Sequence, residues 1–93
     1  MLTVVEQHSK VTYSMSGTNQ LCPKDHNINS ENECKQAATF LRKTFKDSRR
    51  RSFFPKGCYF HHSSGYIFFN TDSAGYENSQ AEQICKVEQT IGI

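Results

Sequence analysis

The sequence predicts a small disulfide-stabilised α+β domain, with one main helix packed on a short antiparallel sheet that contains a β-hairpin. Three observations carry this expectation. A helix-start signature at Ser30 is followed by apolar residues at helical spacing, two β-prone runs flank a turn between Cys58 and Asn70, and four cysteines are spread through 93 residues.

Size sets the frame. Ninety-three residues fit one domain. A chain this short buries only roughly 60–65% of the surface its unfolded form exposes. Hydrophobic residues make up 35%, tryptophan is absent and mean hydropathy is -0.68. Seven Phe and four Tyr supply large apolar area per residue, and cystines are the natural supplement to such a core. The opening Met1-Leu2-Thr3-Val4-Val5-Glu6 lacks the basic start and apolar stretch of a secretory signal. An extracellular setting therefore requires a mature or excised domain. No apolar run is long enough for a transmembrane segment.

The chain divides into a β-prone N-terminal segment (1–21), a cysteine-stapled core (22–86) and a tail (87–93) that is expected to fray. Leu2 to Val5 is β-prone, and Lys10 to Met15 alternates polar and apolar as a half-buried strand does. Ser16-Gly17-Thr18-Asn19 reads as a turn. Ser30-Glu31-Asn32-Glu33 then matches a capping box, with hydroxyl and carboxylate each satisfying an orphan amide of the other residue. Cys34, Ala37, Ala38, Leu41 and Phe45 place one apolar stripe on one face, so a helix is expected from Glu31 to Phe45.

Pro55-Lys56-Gly57 breaks the chain. Cys58 to His62 and Tyr66 to Asn70, joined by Ser63-Ser64-Gly65, read as a hairpin. Ser79-Gln80-Ala81-Glu82 repeats the capping-box spacing, which predicts a short helical turn carrying Ile84 and Cys85 onto the core.

Cys22, Cys34, Cys58 and Cys85 stand far apart, as cross-links between separate elements require. An even count in a short chain reads as a disulfide framework with three pairings open to it. Cys34–Cys58, helix to hairpin, with Cys22–Cys85 tying the ends is the preferred one. Zinc is the rival, since Cys22 and His26, and Cys58, His61 and His62, lie close in sequence. The paired Cys-x(2–4)-Cys and His-x(3–5)-His knuckles of structural zinc are absent, however. Nothing marks one thiol as an activated nucleophile. No metal site, cofactor or catalytic residue is therefore expected.

Net charge is +2, but its distribution is uneven. Arg42, Lys43, Lys46, Arg49, Arg50, Arg51 and Lys56 face one acid, Asp47, over 42–56, and Phe53 and Phe54 adjoin them. Cations beside aromatics can grip phosphates, sulfated glycans or anionic headgroups. The competing reading is a solvated loop whose Phe side chains turn inward. Arg42, Lys46, Arg49, Arg50, Arg51 and Lys56 are the candidate ligand-binding residues. No helix-turn-helix, RNA-recognition or zinc-finger pattern accompanies them.

The remaining polar groups have ordinary uses. His61 and His62 must point to opposite faces of a strand. Tyr59, Tyr66 and Tyr76 suit core and rim packing or a contact platform. Asn70, Asp72 and Glu77 lack the alternation of a calcium loop.

Cys22, Ile28, Glu33-Cys34, Ala37-Ala38, Leu41, Pro55-Lys56-Gly57-Cys58-Tyr59, Phe69-Asn70 and Ile84-Cys85 together resemble an uncharacterised cysteine-rich module of secreted or membrane-anchored eukaryotic proteins. The resemblance spans about two thirds of the chain and implies an extracellular or ectodomain location with paired cysteines. It carries over no catalytic or binding residue, and the long basic segment between helix and hairpin departs from it. The expected function is a monomeric, non-enzymatic extracellular recognition or adhesion module with a polyanion, glycan or protein ligand. The first alternative is an intracellular zinc-binding or nucleic-acid adaptor. The second is a small secreted hydrolase or toxin-like effector.

Overall fold

A computed structural model describes residues 8–91. In chain order the elements are β1 (His8–Met15), α1 (Glu31–Phe40), β2 (Thr44–Arg49), β3 (Gly57–His61), β4 (Tyr66–Asn70) and β5 (Ala81–Ile91). The strands form one sheet in the order β1-β5-β3-β4-β2. All neighbours are antiparallel except β2 and β4, which run parallel, so the sheet is mixed rather than antiparallel throughout. The β-prone run Leu2–Val5 lies outside the described residues.

The Ser30 hydroxyl accepts from the Glu33 amide at 3.1 Å and starts α1 as expected. Only half of the capping box forms, because the Glu33 carboxylate turns to Tyr13 and Lys86 instead. The helix ends five residues earlier than the apolar spacing predicts. Arg42 adopts a left-handed backbone (φ 58°), its amide bonds to the Thr39 carbonyl, and the Lys43 amide reaches the Ala38 carbonyl. That is a Schellman closure, in which the left-handed position usually holds glycine. With arginine there, the sequence shows no stop. Phe45, four residues beyond Leu41, reaches the same core from β2.

The C-terminal segment is the larger correction. Ser79-Gln80-Ala81-Glu82 does not begin a helical turn. Asn78 Oδ1 accepts from the Gln80 amide and the Asn78 carbonyl from the Ala81 amide, making a turn that feeds β5. β5 then pairs with β3 on one side and β1 on the other, and the segment expected to fray is in strand as far as Ile91.

Alternation along the strands separates two apolar layers. Cys34, Ala37 and Ala38 of the helix pack over Ile28, Cys58, Ile67 and Ile84, with Phe45, Phe60 and Phe69 at the margin. On the opposite face Tyr59, Phe68 and Ala81 form a second cluster, closed over by Phe54. Two disulfides stitch the layers' supports together, Cys34–Cys58 from helix to hairpin and Cys22–Cys85 from the loop before α1 to β5. Each constrains the unfolded chain by about 3–4 kcal/mol on the loop-entropy account. Gly57 opens β3 with φ 74°, and a Cβ there would collide with the Ile28 carbonyl oxygen. Glycine is required at this crossing for both reasons.

Candidate functional site

The site is assembled on the sheet face opposite the helix, and a one-residue irregularity puts it there. β2 pairs Phe45 with Ile67 but Asp47 with Phe68, leaving Lys46 as a bulge. In a regular strand, alternation from Phe45 would turn Asp47 and Arg49 toward the helix. The bulge reverses this. Ser48 meets Glu31 of the helix, while Asp47 and Arg49 lie on the open face. The expectation of a basic loop is thus corrected in part, since 44–49 is an edge strand and only 50–56 is a loop.

On that face the rings form a continuous row. Phe54 and Tyr59 have centroids 5.5 Å apart, Tyr59 and Phe68 stack at 5.6 Å, and His61 lies 5.9 Å from Phe54 and 6.2 Å from Phe68. Two guanidinium groups lie over this row. Arg49 sits 4.5 Å from the Phe68 centroid and Arg51 sits 4.4 Å from that of Phe54. Cation–π contact of this kind fixes a long side chain that would otherwise sweep solvent. Beneath them Tyr59 is 1% exposed. Burial raises its phenol pKa, with the two arginines opposing the shift.

The charges are not equivalent. Asp47 accepts two hydrogen bonds from Arg49, at 2.8 and 2.9 Å, and that pairing holds its carboxyl below the usual range. Arg50 is 80% exposed at its side chain and lies 3.6 Å from Asp72. Among the described residues no carboxylate reaches ion-pair distance of Arg51. His61 adds a titratable group. Its pKa is pushed down by burial first and by the positive field of Arg51, His62 and Arg49 after it.

Asn70 holds the segment together. Its side chain is 2% exposed. Oδ1 accepts from the amides of Arg51 and Asp72, and Nδ2 donates to the carbonyls of Arg51, Phe54 and Pro55. One buried amide thereby fixes the backbone beneath the arginines and aromatics, so the exposed cations stand on an ordered loop. From sequence alone Asn70 reads as a turn residue. Its position as the last residue of a buried strand, facing a carbonyl-rich loop, is what the sequence does not display.

Of the six candidate binding residues, Arg49 and Arg51 are brought together on the open face, and Arg50, between them in the chain, pairs with Asp72. Lys56 stands at the other end of the same loop, beside an open groove of about 430 Å³ that it shares with Asn70 and Asp72. Lys46 lies over Tyr66 at the hairpin end of β2, and Arg42 caps the helix. Neither joins the arginine cluster.

The alternatives meet specific geometry. All four cysteines are bridged, which leaves no thiolate for zinc. His62 contacts Glu82 at 3.1 Å and Thr18 at 3.5 Å, but through the same nitrogen, Nε2. A proton relay needs the base and its orienting acid on different ring nitrogens, and this cluster instead forms a hydrogen-bonded latch between the hairpin and the 16–19 turn. His61 faces the open sheet and bonds Ser64 in its own turn. Asp72 supports the Ala74 amide and Arg50 rather than a calcium loop.

No family model, curated protein or solved structure matches the chain. No described helix is long and apolar enough to cross a membrane.

Proposed function

We propose that the protein is a monomeric, non-enzymatic extracellular recognition module that binds anionic ligands through the cations of the 49–56 segment and the adjoining open sheet face. The observation carrying this reading is the pair of guanidinium groups laid on Phe68 and Phe54, with the exposed Arg50, 3.6 Å from Asp72, between them in the chain. Guanidinium groups fixed on rings lose less freedom when they engage a sulfate, phosphate or carboxylate than freely rotating ones do. Two cystines in so small a chain support an oxidising, extracellular setting. The resemblance to a secreted cysteine-rich module points the same way.

The test is retention on immobilised heparin. Arg50→Gln with Arg51→Gln should elute at clearly lower salt than the parent. Lys24→Gln with Arg42→Gln, which removes the same charge elsewhere, should shift elution far less. Equal shifts in the two double variants would reduce the effect to net charge and overturn the assignment of this surface.

A further inference from the structure

Phe53 is the least expected residue on this surface. It is 70% exposed, and its backbone is left-handed with φ 66°. Among the described residues the other non-glycine positions with positive φ are Asn19, Asp25 and Arg42. The first two are types that tolerate this region, and the third closes a helix. A bulky aromatic there is an outlier. Strain persists where surrounding bonds over-determine it, and those bonds are present. Asn78 Nδ2 donates to the Phe53 carbonyl at 3.0 Å, the Tyr76 amide donates to the Phe54 carbonyl at 3.2 Å, and Asn70 holds Arg51, Phe54 and Pro55. Loops 50–56 and 71–80 are locked side by side, with an apolar ring turned to water.

Tyr76, 50% exposed, is its neighbour, with ring centroids 5.8 Å apart and planes at 42°. Around the pair the 49–56 segment carries Arg49, Arg50, Arg51 and Lys56 and no acid. The facing loop contributes Asp72, engaged by Arg50, and the exposed Glu77. An exposed apolar wedge rimmed by cations is complementary to a surface whose outer layer is negative and whose interior is hydrocarbon.

We infer that the Phe53–Tyr76 pair is a membrane-docking tip, with Phe53 entering the acyl boundary of an anionic bilayer and Arg50, Arg51 and Lys56 resting on its headgroups. This rests on the anion-binding reading and names its ligand class. A sulfated glycan answers the cations, but rings tilted by 42° make a wedge rather than the flat platform on which a sugar's C–H face stacks. At a bilayer that wedge is an advantage. Tyr76 keeps its hydroxyl for the headgroup level, where tyrosine is enriched.

Co-sedimentation of the intact chain with vesicles tests this, using phosphatidylserine–phosphatidylcholine mixtures against phosphatidylcholine alone. Phe53→Gly is the decisive variant because glycine accepts φ 66° without strain, and its thermal unfolding should show a fold at least as stable as the parent. The parent should bind the anionic vesicles, and F53G should lose at least ten-fold in affinity while its heparin retention stays unchanged. Equal vesicle binding by parent and F53G would overturn the docking tip. Heparin retention without vesicle binding would overturn it and leave the anion-binding reading standing. Weakened heparin retention by F53G would make the rings part of a glycan site instead. Failure to bind either probe would remove both proposals.

Discussion

Asn70 closes two hydrogen bonds around a single residue, Arg51, accepting from its amide at 2.9 Å and donating to its carbonyl at 2.8 Å. A side-chain amide used in this way replaces a strand partner for a stretch of chain that has none. Substituting Asn70 by Ala leaves both groups of Arg51 and the carbonyls of Phe54 and Pro55 without it, in a buried setting. The expected cost is about 2–4 kcal/mol, read by denaturant unfolding. Limited trypsin digestion should cut after Arg49, Arg50 or Arg51 in the variant much faster than in the parent. Unchanged cleavage would mean that the loop is held by something other than this amide.

The bulge at Lys46 has its own test. Deleting Lys46 leaves Phe45 followed by Asp47, and simple alternation then gives the facing already observed, with Phe45 and Ser48 toward the helix and Asp47 and Arg49 toward the open face. The deletion should change stability by no more than about 1 kcal/mol, as edge positions allow. Heparin retention should fall only by the effect of one distant charge. A large loss of stability would show that the bulge is needed for the curvature of β2 rather than for its phase.

Tyr13 ties β1 to the helix. Its hydroxyl donates to Glu33 at 3.1 Å, and burial, followed by that carboxylate, pushes its pKa up to about 12. Because the folded value is raised above that of the free side chain, the stabilisation is intact below pH 10 and is lost as pH rises from 10 through 12. Tyr13→Phe should cost roughly 0.5–1.5 kcal/mol near neutrality and should flatten the alkaline limb of the stability curve. An unaltered limb would assign it to another group.

On the proposed anion-binding reading, His61 makes affinity depend on pH. Its folded pKa is depressed, so the unliganded fold gains from neutral His61 above about pH 6.5 and loses that gain as pH falls through the lower folded value. A bound anion reverses the preference, because the charged imidazole then faces a negative partner. Heparin affinity should therefore rise about three- to ten-fold between pH 7 and pH 5. His61→Ala should show little of that rise. A variant with the parent's full pH profile would assign the effect to a group other than His61.

Much of the fold was legible because its signals are local. Ser30 with Glu33 sets the helix start, Lys10–Met15 alternates, and Cys58–Asn70 carries its own turn. Bridges Cys34–Cys58 and Cys22–Cys85 are the pairing preferred from the sequence. What escaped depends on partners distant in the chain. Arg42 in a glycine position hid the helix end, and the pairing of 81–91 with both β3 and β1 overrode a capping-box spacing at Ser79. The cluster of arginines was visible, but its sorting was not. The bulge, the Asn70 clamp and the left-handed Phe53 separate Arg49, Arg50 and Arg51 from Arg42 and Lys46, and none of the three leaves a pattern in the residues themselves.

His8 faces Ile91 in the pairing of β1 with β5. A cut in the chain anywhere between Cys22 and Cys85 therefore leaves two pieces that stay joined, covalently through that bridge and by hydrogen bonds along the β1–β5 seam.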